Sequence, residues 1–355
     1  MGLRPRVQAP VLLWGSSSAG ESLTLASAAW LVTGLSKSPL VSSLLMALAT
    51  LPALLPLQRR SGGYAAQLVG VVGLIGITVG ESSLRIPNAW LVAPALLAVL
   101  LFAFGQEISQ LPLQRQLLGK TGATVERLRI GDELGAMAGN LLEAFIFPAL
   151  AQFASALVLL LPLGLSSLQS DQPLNTTTEA NSNQTPELVP FSRRCVLQGV
   201  LFGSLFAVLP LWLREVCGAS YFDFGLLLAC YCLGRSLNSF IPIRGSALIY
   251  AAMAALLVLA EALGDSRVVA VFLPLGALAA ASDAALVASL KPLGDAALSW
   301  EMLFRSGGVG GLIGSLGMGL LSQIFGINAV MPLQVGLFLA LAWPLGRCAS
   351  RQPSP

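Results

Sequence analysis

The chain has 355 residues, 55% of them hydrophobic and 10% charged, with a mean hydropathy of +0.78; a soluble domain carries roughly 25% charged residues, so a water-soluble globule is excluded. The formal charge is only +3, and the basic residues are scattered through the chain, which argues against a nucleic-acid partner. Histidine is absent, which removes the commonest proton carrier near neutral pH.

A hydrocarbon core about 30 Å thick needs about 20 apolar helical residues, and the sequence predicts twelve such spans. The first six cover 9–34, 39–58, 64–82, 89–108, 130–149 and 150–167. The second six cover 195–215, 221–240, 245–263, 267–290, 303–324 and 327–346. Spans five and six run together almost without a break, and Pro148 is the expected turn. Arg4 and Arg6 before an apolar run, with "ASA" at 26–28, have the look of a secretory signal. The polar "GSSSAGES" with Glu21 inside that run is foreign to such a signal, so a retained first span is expected.

With the N-terminus inside, fifteen Lys and Arg residues fall in cytoplasmic loops, and Lys37, Arg85, Arg214 and Arg267 fall outside. Arg235 lies within span eight. This asymmetry predicts an integral membrane protein with both termini cytoplasmic. Between the halves lies a polar stretch, 168–194, rich in Asn and Thr and without apolar periodicity, which reads as a flexible cytoplasmic linker. The N-x-T triplets at Asn175 and Asn183 carry no weight on that side of the membrane. The expected organisation is therefore all-α, with an N-terminal six-helix bundle at 1–167, the linker at 168–194 and a C-terminal six-helix bundle at 195–355.

The chain also repeats itself. "WLVTGLSKSPLVSSLL" (30–45) parallels "WLREVCGASYFDFGLL" (212–227), and "GAMAGNLLEAFIFPALAQF" (135–153) parallels "GGVGGLIGSLGMGLLSQIF" (307–325) in its Gly-x-x-x-Gly opening. Two pseudo-symmetric halves follow, and such halves usually enclose a midplane site reached alternately from either side. The first helix pair, "SLTLASAAWLVTGLSKSPLVSSLLMALATLPALL", and its counterpart, "LPLWLREVCGASYFDFGLLLACYCLGR", resemble a major facilitator superfamily permease, most closely its bacterial drug and siderophore exporters. The resemblance implies a monomeric secondary active transporter in a bacterial inner membrane, exporting a small organic solute (efflux) by alternating access.

Two family motifs are altered. The loop after span two, "LPLQRRSGGY", keeps Arg59, Arg60 and the glycines but no acid to lock an inner gate. The antiporter motif of span five matches Gly135, Gly139, Asn140, Glu143 and Ala144, so Asn140 stands for its Pro and Glu143 with Ala144 for its Gly pair. By their spacing, Asp132, Gly135, Gly139 and Glu143 share one helix face, and glycines there let another helix approach closely. Gly307 and Gly311 are the corresponding packing candidates in the second half. Asp132 and Glu133, just after Arg127 and Arg129, are read as complementing a helix N-terminus at the membrane surface.

The remaining ionisable groups inside spans are Glu21, Glu107, Glu143, Arg235 and Asp283, and an unpaired charge in a bilayer costs at least about 2.5 kcal/mol. They are the candidates for a substrate or proton pathway. The alternative is structural pairing, Arg235 with Asp283 or Glu107 with Arg115. The glycines of 305–319 lack the Gly-Lys-Ser/Thr of a phosphate loop. Cys230 and Cys232 form a lone Cys-x-Cys, so no metal site or cofactor is expected. No nucleophile and base constellation or ATP motif points to an enzyme, so a gradient must drive transport, with protons carried on carboxylates as the candidate coupling. The rival expectation is a membrane scaffold or receptor that keeps the permease fold without transport.

Overall fold

A computed structural model describes residues 5–55, 63–83, 86–121, 125–146, 153–154, 191–237, 246–290 and 296–346. Among these residues the chain is all-helical, in eleven α-helices and one short 3-10 turn. They are α1 (Pro5–Leu35), α2 (Pro39–Leu54), α3 (Gly63–Ser82), α4 (Asn88–Thr121), α5 (Val125–Phe145), α6 (Arg193–Glu215), α7 (Tyr221–Ser236), α8 (Ser246–Leu263), α9 (Val268–Leu290), α10 (Ala296–Phe325) and α11 (Val330–Gly346). The sixth expected span, the linker up to residue 190, Arg59 and Arg60 lie outside the described residues, except that 153–154 are helical.

Among the described residues six helical stretches are long and apolar enough to cross a membrane, Gly63–Glu81, Asn88–Ser109, Arg193–Glu215, Val268–Leu290, Ser299–Phe325 and Ile327–Gly346, and the protein is an integral membrane protein. Helix α5 misses that standard because it carries six charged residues, from Glu126 to Glu143. It also starts at Val125, five residues before the expected span. Helix ends follow local chemistry. Pro39 sits in the first turn of α2, where its missing N–H costs nothing. Ser220 caps α7 in a reciprocal box, its backbone N–H donating to Asp223 Oδ2 at 2.8 Å. Gly218 and Gly326 take φ of +59° and +88° just beyond α6 and α10, where a side chain would be strained. In the α8–α9 turn, the backbone N–H and guanidinium of Arg267 hold the exposed Asp265 carboxyl below the usual carboxylate range.

The packing among α1–α5 recurs among α6–α10. Helix α1 runs along α5 as α6 runs along α10, α2 touches α4 as α7 touches α9, and α3 packs on α4 as α8 packs on α9. The two most extensive seams between the sets are α2 with α10 and α5 with α7, and α1 and α2 also touch α6. The first is built of small and hydroxyl residues: Gly308 lies beside Leu54, Gly311 beside Thr50 and Gly319 against Ser43. The second is polar. A large apolar core, including the fully buried Trp212, Tyr250, Phe272 and Phe338, fills the space around α6, α8, α9 and α11.

Candidate functional site

The α1–α5 crossing sets the depth of the acids. A Cβ on Gly135 would overlap the backbone of Gly15, and one on Gly139 would overlap the carbonyl of Ala19. Backbones approach that closely in membranes only where side chains are absent or small. The crossing is parallel, since higher numbers on α1 meet higher numbers on α5. It turns Asp132 to α1, where the Ser18 hydroxyl donates to its carboxylate.

One residue further round the helix, Glu133 faces α7. It accepts from Arg235 Nε at 2.6 Å, and Arg235 Nη2 reaches Asp283 on α9 at 2.9 Å. Asp283 also accepts from Gln198 Nε2 of α6 at 2.6 Å, and the same amide reaches the Ser282 hydroxyl at 2.8 Å. The guanidinium lies over the Tyr231 ring, 5.8 Å from its centroid. Five helices, α1, α5, α6, α7 and α9, thus converge on one polar cluster of three acids and one arginine. Its ion pairs are largely shielded, with side-chain exposures of 19% for Arg235, 10% for Glu133 and 14% for Asp283.

This corrects the reading of Asp132 and Glu133 as residues at a helix start. Because α5 begins at Val125, both lie two turns into the helix, and Glu133 is an ion-pair partner across the α5–α7 seam. The Arg235–Asp283 pair is present as one of the two readings had it, and Glu133 joins it.

Further along the same seam, Asn140 donates to Cys232 Sγ at 3.5 Å, and Glu143 is fully buried, at 0% exposure. Among the described residues neither Glu143 oxygen has a hydrogen-bond partner, and the same holds for Asn140 Oδ1 and the Tyr221 hydroxyl. Glu107, on α4, is half-buried and stands in the field of Arg305 on α10; the side chain of Arg115, its other expected partner, lies outside the described residues. Glu21 is partly buried on α1 and is engaged in an interaction of its own. The five pathway candidates therefore do not form one constellation: Arg235 and Asp283 are in contact, while Glu143 lies nearly three turns beyond Glu133 on the same helix.

The packing glycines of the second half also need correction. A Cβ on Gly307 meets nothing, and one on Gly311 only grazes Thr50 at 4.0 Å. The residues whose missing side chains permit the α6–α10 approach are Gly310 and Gly314, which face the backbones of Val196 and Val200, together with Gly199 and Gly203 on α6. Gly307 and Gly311 take part only through their backbones, which Gly199 and Gly203 abut. The functional equivalent of Gly135 and Gly139 is displaced by three residues from the pairing that the repeat suggests. Gln198, Ser18, Ser282 and Tyr221 were not singled out by sequence. The one available signal was a glutamine amid the apolar run of α6.

No protein-family model matches the sequence, and no curated protein matches it. Solved structures do match in fold. The chain superimposes on a bacterial metal transporter with a TM-score of 0.67 at 14% identity, covering 99% of this chain and 100% of that one. A bacterial homolog of the human lysosomal transporter Spinster, in an inward-facing and occupied conformation, gives 0.64 at 14% identity over all of both chains. The nucleoside transporter NupG gives 0.62 at 12% identity, covering 99% of this chain and 100% of that one. The chain thus shares the fold of these solved membrane transporters.

Proposed function

We propose that the protein is a secondary active transporter that moves a small organic solute by alternating access, through twelve spans arranged as two six-helix halves. The observation that carries this reading is the shielded cluster of Asp132, Glu133, Arg235, Asp283 and Gln198, held by five helices inside a fold shared with transporters. A set of charges this costly to bury is expected where helices must separate and rejoin around a solute. The recurrence of packing from α1–α5 in α6–α10 supports the two halves, and the charge asymmetry of the loops supports cytoplasmic termini. Export and placement in a bacterial inner membrane follow from the sequence resemblance. Protons are the proposed driving ion, and a monomer suffices.

The test is flux in proteoliposomes. Screening a solute library for ligand-induced thermal shifts supplies the candidates, and uptake or release is then followed with and without an imposed pH gradient. Solute movement that collapses with the gradient is expected. Solute binding without movement across the membrane supports instead the scaffold or receptor reading, which the altered motifs of span five and of the loop after span two bring forward.

A further inference from the structure

The α5–α7 seam contains a second polar group, separate from the Arg235 cluster. Asn140 and Glu143 are three residues apart on α5 and therefore neighbours on its surface. Gly225 of α7 lies against that stretch, so close that a Cβ there would come within 2.7 Å of Ala144 N and 2.9 Å of the Asn140 carbonyl. Tyr221 precedes Gly225 by four residues, one helical turn. It packs with Leu23 of α1 and is near enough to Glu143 for the carboxylate charge to act on the phenol. Glu143, Asn140 and Tyr221 are 0%, 4% and 9% exposed, and each has an oxygen without a hydrogen-bond partner among the described residues.

Buried polar atoms are nearly always satisfied, so four orphan oxygens on three neighbouring residues call for an explanation. An anionic carboxylate in such a place is normally paired or bound to a cation. Among the described residues no Lys or Arg forms an ion pair with Glu143. Helix α5 offers no remedy, since its basic residues, Arg127 and Arg129, lie about 20 Å or more away at 1.5 Å per residue, and Arg235 is two-fold committed near residue 133. On α7 the facing titratable group is Tyr221. On α1, Glu21 lies at about the same depth because Ala19 opposes Gly139, and it is a further acid and not a cation.

We propose that Glu143, Asn140 and Tyr221 form a binding site for one monovalent cation, a proton or a sodium ion, buried between α5 and α7. A proton on Glu143 becomes a donor to Asn140 Oδ1 or the Tyr221 oxygen, and a sodium ion takes the carboxylate and those two oxygens as ligands. A sodium ion thereby engages all three residues, and a proton engages Glu143 and one of its two neighbours. The proposal deepens the transport reading, on which it rests for its purpose, by locating the coupling ion at the boundary between the two helix sets, where movement of α7 against α5 opens or closes the site.

The experiment uses the purified full chain in detergent. Thermal unfolding is followed while NaCl replaces choline chloride at constant ionic strength, and separately across pH 5 to 9, for the wild type, Glu143→Gln and Tyr221→Phe. Above the dissociation constant, a tenfold rise in the bound cation raises the folding constant about tenfold. For a proton, the wild type loses stability relative to Glu143→Gln as pH rises, because the folded state then holds a proton that the unfolded chain releases, and sodium has no effect. For sodium, the wild type gains stability with NaCl and Glu143→Gln does not. Tyr221→Phe weakens whichever response is seen. Equal responses of the wild type and Glu143→Gln to both variables overturn the site. Should Glu143→Gln not fold, Tyr221→Phe and Asn140→Ala carry the test, and unchanged responses in both overturn it. Solute flux without any cation response leaves the transport reading standing and removes this site; a cation response without flux does the reverse.

Discussion

Arg235 is shared between two acids on different helices, which makes it the residue whose loss should be felt most. Removing it leaves Glu133 and Asp283 facing each other's charge in a shielded place, and breaking such a pair costs about 3–5 kcal/mol. Arg235→Leu is expected to lower the unfolding temperature far more than Glu133→Gln, which leaves the Arg235–Asp283 pair intact. Adding Glu133→Gln and Asp283→Asn to Arg235→Leu should recover most of the loss, because the cluster is then uncharged; thermal melts of the four proteins decide. Arg235 and Asp283 were legible in the sequence because a charge inside an apolar run is expensive wherever it points. Glu133 was not, since "VERLRIGDELG" reads as a charged approach to the membrane until the helix is known to begin at Val125. Nor was Tyr221 or Gln198: an uncharged polar residue in a span is ordinary until its neighbour from another helix is known.

At the scale of elements, α5 has two working faces. Gly135 and Gly139 give one to α1, while Glu133 and Asn140 give the other to α7, with Glu143 on the edge between them. Periodicity exposed the first face, because glycine spacing depends on one helix alone. The second depends on the register between α5 and α7, which no single-helix pattern encodes. The same limit explains the displaced repeat: "GGVGGLIG" contains several overlapping glycine frames, and only the approach of Val196 and Val200 selects Gly310 and Gly314. Gly310→Ala is therefore expected to cost about 1–3 kcal/mol through overpacking, whereas Gly307→Ala should be neutral or stabilise by up to about 1 kcal/mol through helix propensity. Denaturation of the two variants side by side, with similar losses in both, would falsify the assignment.

The whole molecule was legible in class and in the approximate position of most spans, since apolar length and loop charge are properties of the chain alone. Long α4, ending at Thr121 where the span was expected to close at 108, shows what those criteria miss: a helix continues past the apolar stretch while its backbone bonds are satisfied. Reporter fusions at residues 180 and 355 are expected to read cytoplasmic, and one near residue 265 external. If 180 and 265 report the same side, the twelve-span arrangement fails.

Two tryptophans stand at opposite ends of this bundle, each stacked with an arginine from the other set of helices. Trp30, near the end of α1, lies under Arg214 of α6, 5.2 Å from the guanidinium, and stacks on Phe224 of α7 at 5.6 Å. Trp300, near the start of α10, lies 5.4 Å from Arg129 of α5. Two of the chain's six tryptophans are therefore intrinsic fluorophores at opposite ends of the bundle, each with an environment assembled from both sets of helices. Protein in which either of the two is the single remaining tryptophan would report the wetting of that end in its emission colour, without an attached dye, so that light alone tests the proposed opening of one end at a time.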